Sequence, residues 1–164
     1  MAPQNVAFGL IAASMVLAAL RVVTTKNIVH SALYLIVVLA GVAGLYVLLA
    51  AEFVAWAQVL IYIGAVLVLL LFGIMLTRAP LRPSDELDND QRWAAAIVSL
   101  ALVGLLVGLL VDGFSDVRVR PTTATGGGEL ADSIFVDYLV PFEVVSLLLL
   151  GALIGAIVIA RRDD

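Results

Sequence analysis

Apolar positions in this chain do not recur with an amphipathic period. They run on without interruption through five stretches, 6–23, 28–50, 54–77, 93–112 and 141–160. About 20 apolar residues wound as a helix cross a hydrocarbon core about 30 Å thick. Each stretch therefore predicts one membrane-spanning helix. Without water, a single segment satisfies its own backbone groups only as a helix. A membrane barrel needs strands that alternate in polarity, and these stretches do not alternate. The predicted fold class is an all-α integral membrane protein, one membrane domain over 1–164 with five transmembrane helices.

Polar residues gather between the spans, and their charges set the expected orientation. One side receives Arg21 and Lys26, then Arg78, Arg82 and Arg92, then Arg161 and Arg162; the other receives only Arg118 and Arg120. Basic residues concentrate on the cytoplasmic side of membrane proteins. The N-terminus is thus expected outside, the C-terminus in the cytoplasm, and the long loop 113–140 outside. The N-terminus "MAPQNVAFGL" has no basic stretch before its apolar run, so the first span is expected to be retained rather than cleaved as a signal. The cytoplasmic segment "RAPLRPSDELDNDQR" reads as a solvated link. In the outer loop, "VRVRP" suggests a short extended piece, and "TGGGE" is expected to be too flexible for a helix. Its glycines lack the strand–loop–helix setting and the lysine of a phosphate-binding loop.

Composition narrows the chemistry. Of the 164 residues, 63% are hydrophobic and 13% charged, against roughly half apolar in soluble domains. Mean hydropathy is +1.16. There is no cysteine, and His30 is the only histidine. Disulfides, thiolate zinc and iron–sulfur ligation are excluded in this chain, and no metal site is expected. A net charge of −4 gives no basic surface for nucleic acid.

Small residues spaced four apart, Ala40/Gly44, Gly104/Gly108 and Gly151/Gly155, share helix faces and predict close helix–helix packing. In "KNIVHSAL", Asn27 is a plausible N-cap for the second helix. His30 lies in its first turn, either as part of that capped start or as a protonatable group at a proton entrance. Glu52 opens the third span, where a helix macrodipole favours a carboxylate. Glu143 follows Pro141 near the start of the fifth span, and both capping and pairing with another chain fit it. Gln58 and Tyr62, four apart, are expected on one face of the third helix, sharing an interhelical hydrogen bond. No Asp, Glu, Lys, Arg or His lies near the middle of any span. Proton carriage across a membrane uses such groups, so this chain is not expected to pump alone.

Three blocks carry a family resemblance: "NIVHSAL", "AEFVAWAQVLIYIGA" and "FEVVSLLLLGALIGAI", in that order. They cover the second, third and fifth spans and resemble the J-chain family of proton-pumping NADH:quinone oxidoreductase, respiratory complex I. The resemblance implies a non-catalytic membrane-arm subunit in a bacterial or archaeal plasma membrane. Its partners would be the other membrane-arm subunits and the lipid bilayer. It would bind no cofactor itself, and FMN, iron–sulfur clusters and quinone would belong to the whole complex. It further implies a π-bulge in the third helix around Tyr62, Ile63, Gly64 and Ala65, which becomes regular α-helix as the enzyme changes state. A π-bulge adds one residue to a turn. Its loss would rotate the next segment, beginning at Val66, by about 100° and gate a proton path beside it. Gln58 takes a position that is acidic in some relatives, and an amide cannot supply that charge. A J-chain relative in a machine fed by ferredoxin or reduced F420 is the alternative reading, and a subunit of a multi-chain cation/proton antiporter is an alternative from a different class. A scaffold protein with a silent third helix fits the hydropathy alone.

Overall fold

A computed structural model describes residues 2–76, 91–115 and 127–161. The segment 77–90, which holds most of the link expected to be cytoplasmic, and the "VRVRP" piece lie outside the described residues. The described residues are helical apart from short turns. Among the described residues, five helices are long and apolar enough to cross a membrane: Pro3–Thr24, Ile28–Leu48, Glu52–Leu76, Trp93–Phe114 and Leu139–Ala160. The chain divides into two compact units, Met1–Thr123 and Ala124–Asp164.

In the first unit, α1 (Ala2–Thr24) and α2 (Ile28–Leu48) pack as an antiparallel hairpin. The joining turn is only three residues long. Its last residue, Asn27, caps α2: the side chain accepts from the backbone N–H of Val29 at 2.9 Å and of His30 at 3.3 Å. This satisfies two of the four N–H groups left free at a helix start. The Ser31 hydroxyl donates to the carbonyl of Val22, tying α2 to the end of α1. Further along, Gly41 faces Met15 and Gly44 faces Ile11. A Cβ at Gly41 would collide with the Cγ of Met15, close to that side chain's root, so this crossing depends on glycine. Lipid tails are as apolar as leucine, so the gain here comes from close packing and not from escape from water. The expected small-residue face was Ala40/Gly44. The observed one is Gly41/Gly44, and Ala40 is exposed. A Cβ added at Gly104, Gly108, Gly151 or Gly155 would meet nothing within 4 Å among the described residues.

α2 ends two residues before the expected Ala50. Ala50 is left-handed at φ 58°. Its N–H donates to Val47 at 3.0 Å, and the N–H of Ala51 donates to Tyr46 at 2.9 Å. These are the two bonds of a Schellman stop, which usually places glycine where Ala50 sits. The reversal is tight, so α3 (Glu52–Leu76) starts at once and runs back along α2. α4 (Arg92–Phe114) is exposed from Trp93 to its end.

The second unit corrects the expectation for "TGGGE". A short helix, α5 (Gly127–Asp132), begins inside it. Gly127 and Gly128 occupy the first turn, where N–H groups lack intrahelical partners in any case. Glu129, also in that turn, suits the positive end of the helix. The backbone continues as a π segment, Ser133–Asp137, bends at Tyr138, and enters α6 (Leu139–Ala160). The supposed loop 113–140 is therefore helical over its last half, apart from the bend at Tyr138, and its beginning, through Phe114, still belongs to α4.

Candidate functional site

The most unusual backbone in the first unit lies inside α3. Glu52–Ala57 and Val68–Leu76 are α-helical, and Gln58–Leu67 between them is π-helical. The segment contains Tyr62, Ile63, Gly64 and Ala65 and is longer than a one-turn bulge. In lipid every backbone group must find a partner inside the chain. A π turn meets that demand with bonds five residues apart, at the cost of an extra residue per turn. The spacing is visible at Gly64, where an added Cβ would touch the carbonyl oxygen of Val59, five residues back, at 3.6 Å. That is ordinary van der Waals contact.

The two ends of the π segment are held and its middle is not. Gln58, at the start, is 9% exposed, and Leu67, at the end, is 2% exposed. Ala55, one turn before Gln58, is also buried. These residues lie where α3 packs on α2. Leu60, Ile61, Tyr62, Gly64, Ala65 and Val66 are exposed within this chain, and Ile63 is half-buried. Gln58 and Tyr62, expected on one face, differ in burial: Gln58 is buried, whereas Tyr62 is 50% exposed. The Tyr62 hydroxyl makes no hydrogen bond among the described residues, so the expected interhelical bond is not found there.

The remaining candidates lie apart from this segment. Glu52 is in the first turn of α3. It lines a groove of about 310 Å³ between α2 and α3 with Ala43, Gly44, Val47, Ala55, Trp56 and Val59. His30 is exposed in the first turn of α2, and its backbone N–H, not its ring, is the group that Asn27 caps. Glu143 lies in the second turn of α6, beyond the reach of the macrodipole end. Its carbonyl accepts from the Ser146 hydroxyl at 2.7 Å, and its side chain is exposed. Capping therefore does not account for Glu143. No three His, Cys, Asp or Glu side chains converge among the described residues. Leu67 was not singled out by the sequence: one leucine among many carries no signal until the backbone fixes which one faces α2.

Residues 18–159 match the family described as NADH-ubiquinone/plastoquinone oxidoreductase chain 6. The NAD(P)H-quinone oxidoreductase chain 6 of the cyanobacterium Leptolyngbya boryana is 42% identical, over 98% of this chain and 81% of its own length. The subunit 6 of the Paulinella chromatophora chromatophore is 41% identical, over 99% and 80%. The F(420)H(2) dehydrogenase subunit J of Methanosarcina mazei is 38% identical, over 98% and 92%.

Proposed function

The chain belongs to the NADH-ubiquinone/plastoquinone oxidoreductase chain 6 family, and from that premise we propose that it is a membrane subunit of a multi-chain quinone oxidoreductase in which the π segment of α3 is a gate coupling electron transfer to proton translocation. The five spans act as one membrane domain in a bacterial or archaeal plasma membrane, N-terminus outside and C-terminus in the cytoplasm, as the basic residues favour. Flavin, iron–sulfur clusters and quinone are held by partner chains, as are the carboxylates that carry protons through mid-membrane. Tyr62, Ile63, Gly64, Ala65 and Val66 form the moving part. Glu52 and Glu143 are outer polar contacts, and His30 is a contact at the cytoplasmic end.

The observation that carries this reading is the way the π segment is held. Gln58 and Leu67 are pinned against α2, and nearly everything between them is free within the chain. If one extra residue leaves the π winding, each downstream residue moves to the place held by its successor. Val66 then takes the buried place of Leu67, and the downstream face turns by about 100°. Exchanging leucine for valine alters burial by one methylene, worth about 0.8 kcal/mol even against water and less against lipid. The exchange at this anchor therefore adds little to the cost of the change, and a neighbouring chain that favours one winding would drive it.

Gly64 gives the backbone the freedom to pass between the two. Gly64→Val has room for its Cβ in the resting winding, but a β-branched side chain stiffens the backbone that must rearrange. The expected outcome is an assembled complex that still reduces quinone and translocates fewer protons per electron pair. Normal stoichiometry in that assembled variant would reject the gate.

The family includes members named for NAD(P)H and for F(420)H(2), and no residue of this chain is assigned to the electron donor. The donor is therefore a property of the partner chains, and F420H2 or ferredoxin is the second reading. A cation/proton antiporter subunit would instead exchange sodium or potassium for protons with no quinone reduction.

A further inference from the structure

The segment ahead of α6 has a feature that the gate does not use. Over Gly127–Asp137, Glu129, the adjacent pair Asp132 and Ser133, and Asp137 follow one another at helical spacing and fall on one side. Leu130, Ala131, Ile134, Phe135 and Tyr138 fall on the other, with Val136 between the two arcs. Helical periodicity produces this two-sidedness, and the five-residue turn at Ser133–Asp137 brings Asp137 back above Asp132. All three carboxylates are exposed, and so are Phe135 and Tyr138, at 57% and 59%.

What covers the apolar side is indicated by where the segment ends. Tyr138 is the single bend residue, at φ −116° and ψ 26°. Its N–H closes the π turn on Ser133 at 3.0 Å, and its carbonyl accepts from Phe142 at 3.0 Å, so α6 begins with no intervening linker. Across the bend the rings of Phe135 and Phe142 meet edge to face, with centroids 5.2 Å apart. The segment is thus fastened to the first turn of an apolar helix 22 residues long, at the level where a span leaves the hydrocarbon. Aromatic residues favour that level, their rings among the headgroups. An amphipathic helix tied there lays its apolar side into the headgroup–acyl boundary.

We propose that residues 127–138 form an interfacial helix whose occupant partner is the lipid surface itself, with Phe135 and Tyr138 immersed and Glu129, Asp132 and Asp137 facing water. The carboxylates would then make a fixed acidic rim on the membrane surface beside the entry of α6. This placement depends on α6 spanning the membrane and not on the gate.

The chain contains no cysteine, so single cysteines carry a spin label without competition within it, and the unsubstituted complex supplies the background. Four variants, Glu129→Cys, Asp132→Cys, Phe135→Cys and Tyr138→Cys, would be labelled in the assembled complex in phospholipid vesicles. Collision with oxygen, which concentrates in lipid, is compared with collision with a water-soluble nickel chelate. All four sites are exposed within the chain, so differences arise from what surrounds it. The expected result is a reversal: oxygen dominates at Phe135 and Tyr138, and nickel at Glu129 and Asp132. Nickel dominance at all four would make the segment a solvated loop. Low collision with both probes at Phe135 and Tyr138 would mean a protein partner covers it. Either result overturns the proposal.

Discussion

Two π segments occur among the described residues, and they behave differently. Gln58–Leu67 interrupts a helix that carries on in the same direction on both sides, deep in an apolar span, with both ends buried against α2. Ser133–Asp137 ends a short helix at a bend, with aromatic rings closing over it. In the first, an extra residue is stored between two fixed points, and releasing it must turn the helix downstream. In the second, the wide turn leads into a change of direction, and nothing downstream depends on keeping a register. On the proposed gate, the same backbone geometry serves as a switch in one setting and a corner in the other. The difference lies in the anchoring at the ends.

Single-residue deletions separate the two most sharply. Removing Gly64 takes one extra residue out of the π winding between Gln58 and Leu67 and shifts it toward α-helix. We expect quinone reduction to continue and proton translocation to be lost, measured as acidification by reconstituted vesicles at matched electron flux. Removing Val136 should leave both unchanged. Equal effects from the two deletions would erase the distinction.

A smaller effect is expected at the anchor itself. Leu67→Ala empties the contact that holds the downstream end of the first π segment; in lipid only the packing part is lost, so the cost is expected near or below the lower end of the about 2–5 kcal/mol of a soluble core. Thermal dissociation of the assembled complex would report it as a lower midpoint. The comparison substitution, Val136→Ala, removes an exposed side chain and should cost about 0.5 kcal/mol or less. The smallest effect is expected at the corner. Phe142→Leu keeps an apolar side chain and gives up the edge-to-face pair with Phe135, worth about 0.5–1.5 kcal/mol. Faster proteolysis within 127–138, with proton stoichiometry unchanged, is the expected outcome.

These contrasts are unequally legible in the sequence. The long helices follow from the solvent, because an uninterrupted apolar run in lipid has one way to satisfy its backbone. Asn27 is legible as a cap because its side chain suits one position only. The π winding of "QVLIYIGAVL" is not legible from composition, since a glutamine, a tyrosine and a glycine in an apolar run are equally at home in a regular α-helix; only family resemblance points to it. Gly41 is obscured by the abundance of small residues, and only its partner, Met15, distinguishes it from Ala40. The stop at Ala50 is hidden because alanine stands where glycine normally signals a left-handed turn. The helix beginning at Gly127 escapes a reading from residue preference, because glycine's cost applies to a helix interior and these glycines sit at a helix start. Leu67 and Gln58 become a pair only through the backbone between them, which holds an additional residue.

The central claim is that α3 exchanges two windings between fixed ends. Structures of the assembled complex captured at rest and during turnover test it directly, by tracing the backbone from Gln58 to Leu67. A second population is expected in turnover, with one residue fewer in the π winding and Val66 in the place against α2 that Leu67 holds at rest. A π segment that keeps Leu67 buried in every captured state would contradict it.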